Sequence, residues 1–342
     1  MILSPKCRQA VAKNVVFSIV FAAFYISNTI LSAEPASVLV SPGATGIDIQ
    51  NALDSLPESG GAVILPAGNF EIHQPIVLRR DHQALRGAGA ETILHLADGA
   101  NCPVVILGVP VNSPKQIVVD ARVGDLFIDG NRSKQQRELW RLRGEGSEIR
   151  NNGIQVQGVS NSIVENITCA HCRSGGLVTT RGVRRLTVRN FSSFDNQFDG
   201  LACYQTEDCL FEELNLHDNP GAGISLDLAF NHNVISNAVL AANDLGIFMR
   251  ASSDNQFENI SIRNSRHFGV FMAENIGQTR AGRSRSDCTN NSFNKFIADQ
   301  CGGIAFRVND VTCTNNFVSE AKFSGDIHAQ LSMALPGLLM VK

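Results

Sequence analysis

Large polar aromatics are scarce in this sequence, with one Trp and two Tyr among 342 residues. Charge of either sign is modest: 29 Lys and Arg face 32 Asp and Glu, a formal net charge of −3. That balance excludes the basic footprint on which nucleic-acid binding depends. After Leu31 no stretch is apolar and long enough to span a bilayer. Histidines are few and scattered. His171, His217, His232 and His267 form no His-x-x-His or similar cluster, so no metal centre is expected.

The chain opens with the pattern of an export signal. Lys6, Arg8 and Lys13 form a positive start, Val15 to Leu31 is apolar but for Ser18, Ser27, Asn28 and Thr29, and Ala33 offers a small residue for cleavage. An uncleaved anchor is the alternative, although the polar second half of the run favours cleavage. The expected organisation is a signal peptide over 1–33 and one domain over 34–342, secreted or periplasmic, with no membrane contact once the signal is removed. Eight of the nine cysteines lie beyond the signal, an even number that suits an oxidising compartment. Phenylalanine, with nineteen copies, supplies nearly all the aromatic content, a bias towards residues that stack in a repetitive interior.

The repeat settles the architecture. Glycines followed by alternating apolar residues stand at Gly153, Gly176, Gly200, Gly223, Gly246, Gly269, Gly303 and Gly325. Their spacings are 23, 24, 23, 23, 23, 34 and 22. One residue after the glycine runs an apolar column, Ile154, Leu177, Leu201, Ile224, Ile247, Val270 and Ile304. Three after it runs another, Val156, Thr179, Cys203, Leu226, Met249, Met272 and Phe306. Upstream of each glycine two more inward columns appear: Val164, Val188, Phe211, Val234 and Phe257, then Cys169, Ser193, Leu216, Val239 and Ile262. Each segment alternates as a half-buried strand must, yet none is long enough to bury its face alone. Three short strands per 23 residues, separated by Asn, Asp and Gly turns, predict a coil of an all-β, right-handed parallel β-helix whose rungs stack about 4.8 Å apart. No helical stretch lies between the strands, which excludes a leucine-rich repeat. Ile47 to Leu56 reads as a short amphipathic helix capping the open end of the stack, within an N-terminal cap over 34–60. Regular coils are expected across 153–325, after strands at Ile76–Leu78, Thr92–Leu96, Val104–Leu107 and Leu126–Ile128.

Two columns should point outward from the strand after the glycine. The first is Gln155, Val178, Ala202, Ser225, Phe248, Phe271 and Ala305; the second is Gln157, Thr180, Tyr204, Asp227, Arg250, Ala273 and Arg307. Tyr204, Asp227 and Arg250 thus occupy three consecutive rungs and are the candidate catalytic set: a proton donor, a general base and a carboxylate clamp. Phe248 and Phe271 would give sugar rings apolar faces. An ordinary cross-rung ion pair, worth little if exposed, accounts for Asp227 and Arg250 equally well. Nine charges fall between Asn131 and Arg150, six of them basic, and a second Arg cluster lies between Gly277 and Ser286. From these loops Arg141, Arg143 and Arg283 are candidate contacts for an anion; solvated loops are the plainer reading. Cys169 falls in an inward column, so Cys169-x-x-Cys172 reads as a core thiol pair or disulfide rather than a zinc site. Cys288-Thr-Asn-Asn and Cys313-Thr-Asn-Asn repeat one coil apart, a spacing compatible with a bridge.

The opening residues Ile49 to Ala52, Gly60 to Gly68 and Gly87 to Gly89 resemble the pectin-lyase-like superfamily: an Ile-Gln-x-Ala helix, a Gly-Gly-x-Val-x-Leu-Pro-x-Gly strand and a Gly-x-Gly turn. From Leu126 to Ser252 the chain is similar to the catalytic module of mannuronan C5-epimerases, through Leu126-Phe-Ile-Asp-Gly-Asn-Arg132, Asp195-Asn-x-x-Asp-Gly200 and the Gly-Ile/Leu-x-Leu strands. That family carries an Asp-Pro-His triplet where this chain has Val178, Thr179 and Thr180, and a further catalytic Asp where it has Tyr204. No catalytic residue carries over, and Asp227, one rung on in the same column, would make a displaced site. The Gly-His-Gly and paired-Asp motifs of polygalacturonases and the Trp-Ile-Asp-His and Arg-x-Pro-x-x-Arg signatures of pectate lyases are absent. The resemblance implies an anionic polysaccharide as partner, epimerised, cleaved by elimination, or only bound. It calls for no cofactor and leaves calcium and the oligomeric state open.

Overall fold

Short alternating strands leave an apolar face with nothing behind it, and the chain covers that face by winding. The structure, a computed structural model, describes residues 36–111, 114–136, 150–276, 287–324, 330–334 and 336–341. Arg141, Arg143, Arg283 and Gly325 lie outside the described residues, as does the expected signal peptide. Among the described residues two sheets form, of 15 and 14 strands, in which each strand pairs in parallel with the strand one coil away. The chain is an all-β parallel solenoid.

The larger sheet is built of long strands: Arg122–Asp129, Ile163–Ala170, Thr187–Phe194, Leu210–His217, Val234–Ala241, Gln256–Arg263 and Ser292–Asp299, each of eight residues. Every one holds a single left-handed residue near its middle, in order Asp125, Asn166, Asn190, Glu213, Asn237, Asn259 and Lys295. That residue turns a corner, so one strand supplies two of the three walls of the coil. Asn tolerates this conformation best among the larger residues, which is why it recurs there. The smaller sheet carries the strands that follow the recurring glycine, from Ile154–Gln157 to Phe306–Val308. The glycine is required by close approach. A methyl at Gly246 would come within 2.5 Å of both the Gly269 carbonyl oxygen and Ile262 Cγ2.

Turns between walls would strand backbone N–H groups in the interior. Two asparagine ladders prevent this: Asn196, Asn219 and Asn243 stack at one corner, and Asn233, Asn255, Asn291 and Asn316 at another, all buried. The Asn219 N–H donates to Asn243 Oδ1 at 3.0 Å, and the Asn255 N–H to Asn291 Oδ1 at 3.2 Å, and so on up the stack. Between the walls the apolar columns fill a continuous core, and Phe does stack there: Phe257 and Phe293 lie parallel with centroids 4.2 Å apart, and Phe306 meets Phe293 edge-on. Each such fully buried side chain contributes about 1.5–3 kcal/mol. The N-terminal end is closed by the helix Gly46–Ser55, whose Ile49 and Leu53 are fully buried. Asp48 accepts hydrogen bonds from the Thr45 N–H and hydroxyl, both at 2.8 Å, which fixes the first turn of that helix.

Register departs from the expected columns in two places. In the coil after Gly223 the inward residues are Ile235 and Leu240, paired with Phe211 and Leu216; Val234 pairs with Leu210, and Val239 is 44 % exposed. The cause is local. Leu228 and Ala229 both take left-handed φ and oppose the single residue Gln205, a bulge that adds one residue to the coil. The turn after Asn243 is then one residue shorter than the turn after Asn219, so the next glycine returns at the regular spacing. In the last full coil Val270 pairs with Phe306 and Met272 with Val308. Ala305 therefore stands where Gly303 was expected, Phe306 replaces Ile304 in the first inward column, and Arg307 aligns with Phe271 rather than with Arg250.

Candidate functional site

The outward columns meet at the bulge. Tyr204 pairs with Asp227 on the next rung, and the Arg250 guanidinium hydrogen-bonds the Asp227 carboxylate from the rung after that. The three candidate residues are brought together, but not as an exposed strip. Asp227 is only 4 % exposed, and its Oδ1 also accepts the Leu228 N–H at 2.7 Å and Asn275 Nδ2 at 2.8 Å. Its carboxylate is thus occupied on both oxygens. The expectation of an exposed ion pair is corrected by this burial: the bulge folds the Leu228 amide back onto the acid, and Asn275 covers it. Ser225, on the same outward face, is buried as well.

Phe248 and Phe271 stand beside this pair, parallel, with centroids 5.9 Å apart, and Phe268 leans on Phe271 at 5.5 Å. The Arg250 guanidinium lies 5.2 Å from the Phe248 ring centroid. All of these rings are partly exposed, so they form an apolar ledge with a cation at its edge.

Two residues with no assigned role join the group. Asp199 precedes Gly200, and its Oδ1 accepts the Ala222 N–H at 2.7 Å. Burial pushes its carboxyl up to about 6, against the lowering effect of that hydrogen bond and of Arg150. Arg150, known from sequence only as the end of a basic loop, reaches over Tyr204, its guanidinium 6.0 Å from the ring centroid. Burial raises the Tyr204 phenol to about 12, helped by the negative charge of Asp199 and Asp227. The column immediately before the glycine holds both Asp199 and Phe268, and reading it would have found them. Asn275 belongs to the extended interval after Gly269 and carries no repeat signal.

Lower on the same face the surface is closed. Gln155, Gln157, Val178 and Ala202 are buried, and Gln157 Nε2 donates to the Val111 carbonyl at 3.0 Å. Val178, Thr179 and Thr180, where the epimerase triplet would stand, are buried too, and the Thr179 hydroxyl bonds that of Thr206 at 2.6 Å.

A second polar cluster lies at the far end of the long-strand sheet. His95 Nδ1 and His171 Nδ1 lie 2.9 and 3.1 Å from the two oxygens of Asp129, and Arg132 Nη2 lies 2.7 Å from Asp195 Oδ1. Burial acts to raise Asp129, but hydrogen bonds from the Asn131 N–H, His171 and His95 outweigh it and hold the carboxyl below its ordinary value. These acids and bases are paired with each other. The recess beneath the N-terminal helix is lined by Ile47, Gln50, His73 and Pro75, and His73 Nε2 lies 3.4 Å from Glu71 Oε2 with both side chains exposed.

The right-handed β-helix family, described as "right handed beta helix region", matches residues 127–240 and 187–332. The chain belongs to this family. Its fold is pectin-lyase-like. No curated protein matches the sequence. Among solved structures it is similar to ORF18 of Geobacillus virus E2, with 13% identity over 89% of this chain and 59% of that one, TM-score 0.65. It is also similar to the A-module of mannuronan C-5 epimerase AlgE4 of Azotobacter vinelandii, with 16% identity over 90% of this chain and 98% of that one, TM-score 0.56. A third is the polygalacturonase of Erwinia carotovora ssp. carotovora, with 11% identity over 90% and 97% of the two chains, TM-score 0.58. The chain spans about 59% of the length of the viral protein. At these identities the likeness is one of fold.

Proposed function

We propose that this is an exported protein whose Tyr204 face receives an anionic polysaccharide and moves a proton on a uronate unit. The observation that carries the reading is the meeting of Asp199, Tyr204, Arg150, Asp227 and Arg250 beside the ledge of Phe248, Phe268 and Phe271. Two of the similar structures are, by name, an enzyme of mannuronan and one of polygalacturonate, which makes a polyuronide the first ligand to try.

Epimerisation and β-elimination begin alike, with removal of the proton beside the uronate carboxylate. Asp199, raised towards neutrality, suits a base that must be ionised to accept a proton and yet hold it. Asp227 is spoken for: its hydrogen bonds fix the Arg250 guanidinium, so in this reading it positions the clamp. Arg250 and Arg150 neutralise the substrate carboxylate, and the protonated Tyr204 phenol supplies the proton to the opposite face or to the departing glycosidic oxygen.

A non-catalytic glycan-binding role is the second reading, favoured by the burial of Val178, Thr179 and Thr180 where the epimerase triplet would lie. One experiment separates them. The protein is mixed with mannuronan, alginate and polygalacturonate, followed by absorbance of unsaturated uronate, by NMR for epimerisation and by calorimetry for binding. Catalysis predicts that Asp199→Asn lowers turnover by about 10²–10⁴-fold with binding retained. Simple binding predicts no turnover and an affinity lost in Arg250→Ala. No binding to any polyuronide sinks both.

A further inference from the structure

We propose that Cys288 and Cys313 form a disulfide when the protein meets an oxidising medium, stapling consecutive coils at the C-terminal end of the solenoid. The inference does not depend on the polysaccharide reading. It begins with the repeated tetrapeptide Cys-Thr-Asn-Asn at 288–291 and 313–316. The two copies perform the same task on adjacent rungs. Asn291 and Asn316 are ladder members, with the Asn291 N–H donating to Asn316 Oδ1 at 3.1 Å. Asn290 and Asn315 take the same left-handed φ, and Asn315 Nδ2 donates to Asn290 Oδ1 at 2.6 Å. Asn316 Nδ2 reaches the Cys288 carbonyl at 3.0 Å. With Ser292 paired to Phe317 just beyond, the two turns superimpose, and the cysteines that open them are in register one rung apart.

A rung of about 4.8 Å falls inside the range of Cα separations that a disulfide spans. Both side chains are fully buried and neighbour each other in the interior. Cys288 Sγ also donates to the Ala273 carbonyl at 3.6 Å, as Cys209 Sγ does to that of Glu207 at 3.1 Å and Cys172 Sγ to that of Ala170 at 3.6 Å. The Cys288 thiol and N–H lower the Cys313 thiol below its ordinary value, while burial raises Cys288. The reaction starts while the two turns are closing and the thiols still meet solvent. The thiolate of one cysteine attacks an incoming disulfide, of the glutathione or oxidoreductase class, and releases one thiol. The other cysteine, giving up its proton, displaces the second thiol from the mixed disulfide. One protein S–S bond forms, and the incoming disulfide is reduced to two thiols.

The bridge would also brace the candidate site. Cys288 Sγ lies 3.6 Å from the Ala273 carbonyl, two residues before the Asn275 that holds Asp227. The test is a thiol map of protein folded in a glutathione redox buffer, denatured without reductant, alkylated and digested. The expected result is one cross-linked peptide pair containing Cys288 and Cys313, with the other cysteines alkylated. Dithiothreitol should lower Tm by about 5 °C, the loop entropy of a 25-residue bridge spread over a chain of this size, and should have no effect on C288A/C313A. Treating protein folded under reducing conditions with diamide should give the same pair. Alkylation of both cysteines in folded protein after both treatments, or linkage of either to another cysteine, overturns the proposal.

Discussion

The two sheets follow opposite rules. Seven successive strands of the long-strand sheet have eight residues each, one corner residue apiece and an unbroken ladder of partners. Strands of the glycine sheet run to 4, 4, 7, 10, 6, 4 and 3 residues over the same coils. Its longest strand contains the Leu228–Ala229 bulge, and the charged group, the phenylalanine ledge and the perturbed Asp199 all gather around that irregularity. Uniformity marks the wall that only has to stack. Added residues and shifts of register, which cost stability, are concentrated on the wall that presents side chains.

The largest effect should come from charging the uniform wall. Leu240→Asp places an unpaired carboxylate in the core of a fully buried column, while Val239→Asp, its neighbour, faces solvent. Burying an unpaired charge costs several kcal/mol at least, so Leu240→Asp should abolish cooperative unfolding, and Val239→Asp should stay within about 0.5 kcal/mol of wild type in denaturant titration. The reverse order would restore the register read from the glycines alone. Ser225→Asp, although on an outward column, should cost more than Val239→Asp because Ser225 is buried.

That contrast shows what was legible. A period of 23 residues and its apolar columns are enough to specify coils, walls and cap, because every rung repeats the same burial. Ile154, Leu177, Leu201, Ile224, Ile247 and Val270 are all fully buried as their column requires. The slip at Val234 and Val239 was hidden, since the bulge and the shortened turn cancel between successive glycines. Ala305 escaped because alanine takes the glycine position in that coil, and the spacing between glycines does not report that. The proximity of Tyr204, Asp227 and Arg250 followed from the repeat. The burial of Asp227 did not, because it depends on Asn275 and on a folded-back amide, neither of which recurs.

An intermediate effect separates the walls at their shared corner. Asn255 accepts the Asn233 N–H and donates to the Phe230 carbonyl at 2.9 Å and to Asn291 Oδ1 at 3.0 Å. Asn255→Ala strands those groups in the interior, at about 1–3 kcal/mol for each one left unsatisfied. Hydrogen exchange should then quicken at the Asn233 and Asn255 amides and their coil neighbours, while the Gly46–Ser55 helix keeps its protection. Uniform loss along the whole chain would mean that the solenoid unfolds as one unit and that corners are not separately stabilised.

The smallest effect tests the irregular wall. Asp199 has a folded-state carboxyl raised to about 6 from an ordinary 3.8, chiefly by burial. A raised carboxyl favours the protonated form in the native state. Its contribution to stability is therefore fully present below the unfolded value and is lost as pH rises through about 6. Asp199→Asn keeps an oxygen for the Ala222 N–H and can never ionise. The variant should match wild type near pH 4, gain on it steadily as pH rises from about 4 to 6, and keep a level gap above pH 7. Because Tyr25 lies in the expected signal peptide, Tyr204 is then the one tyrosine left to report on this acid. Its ring-carbon NMR signal should titrate near pH 6 in wild type and stay flat in Asp199→Asn. A stability gap independent of pH, or a Tyr204 signal that titrates identically in both proteins, would remove Asp199 from the group and leave the bulge as scaffold like the wall opposite.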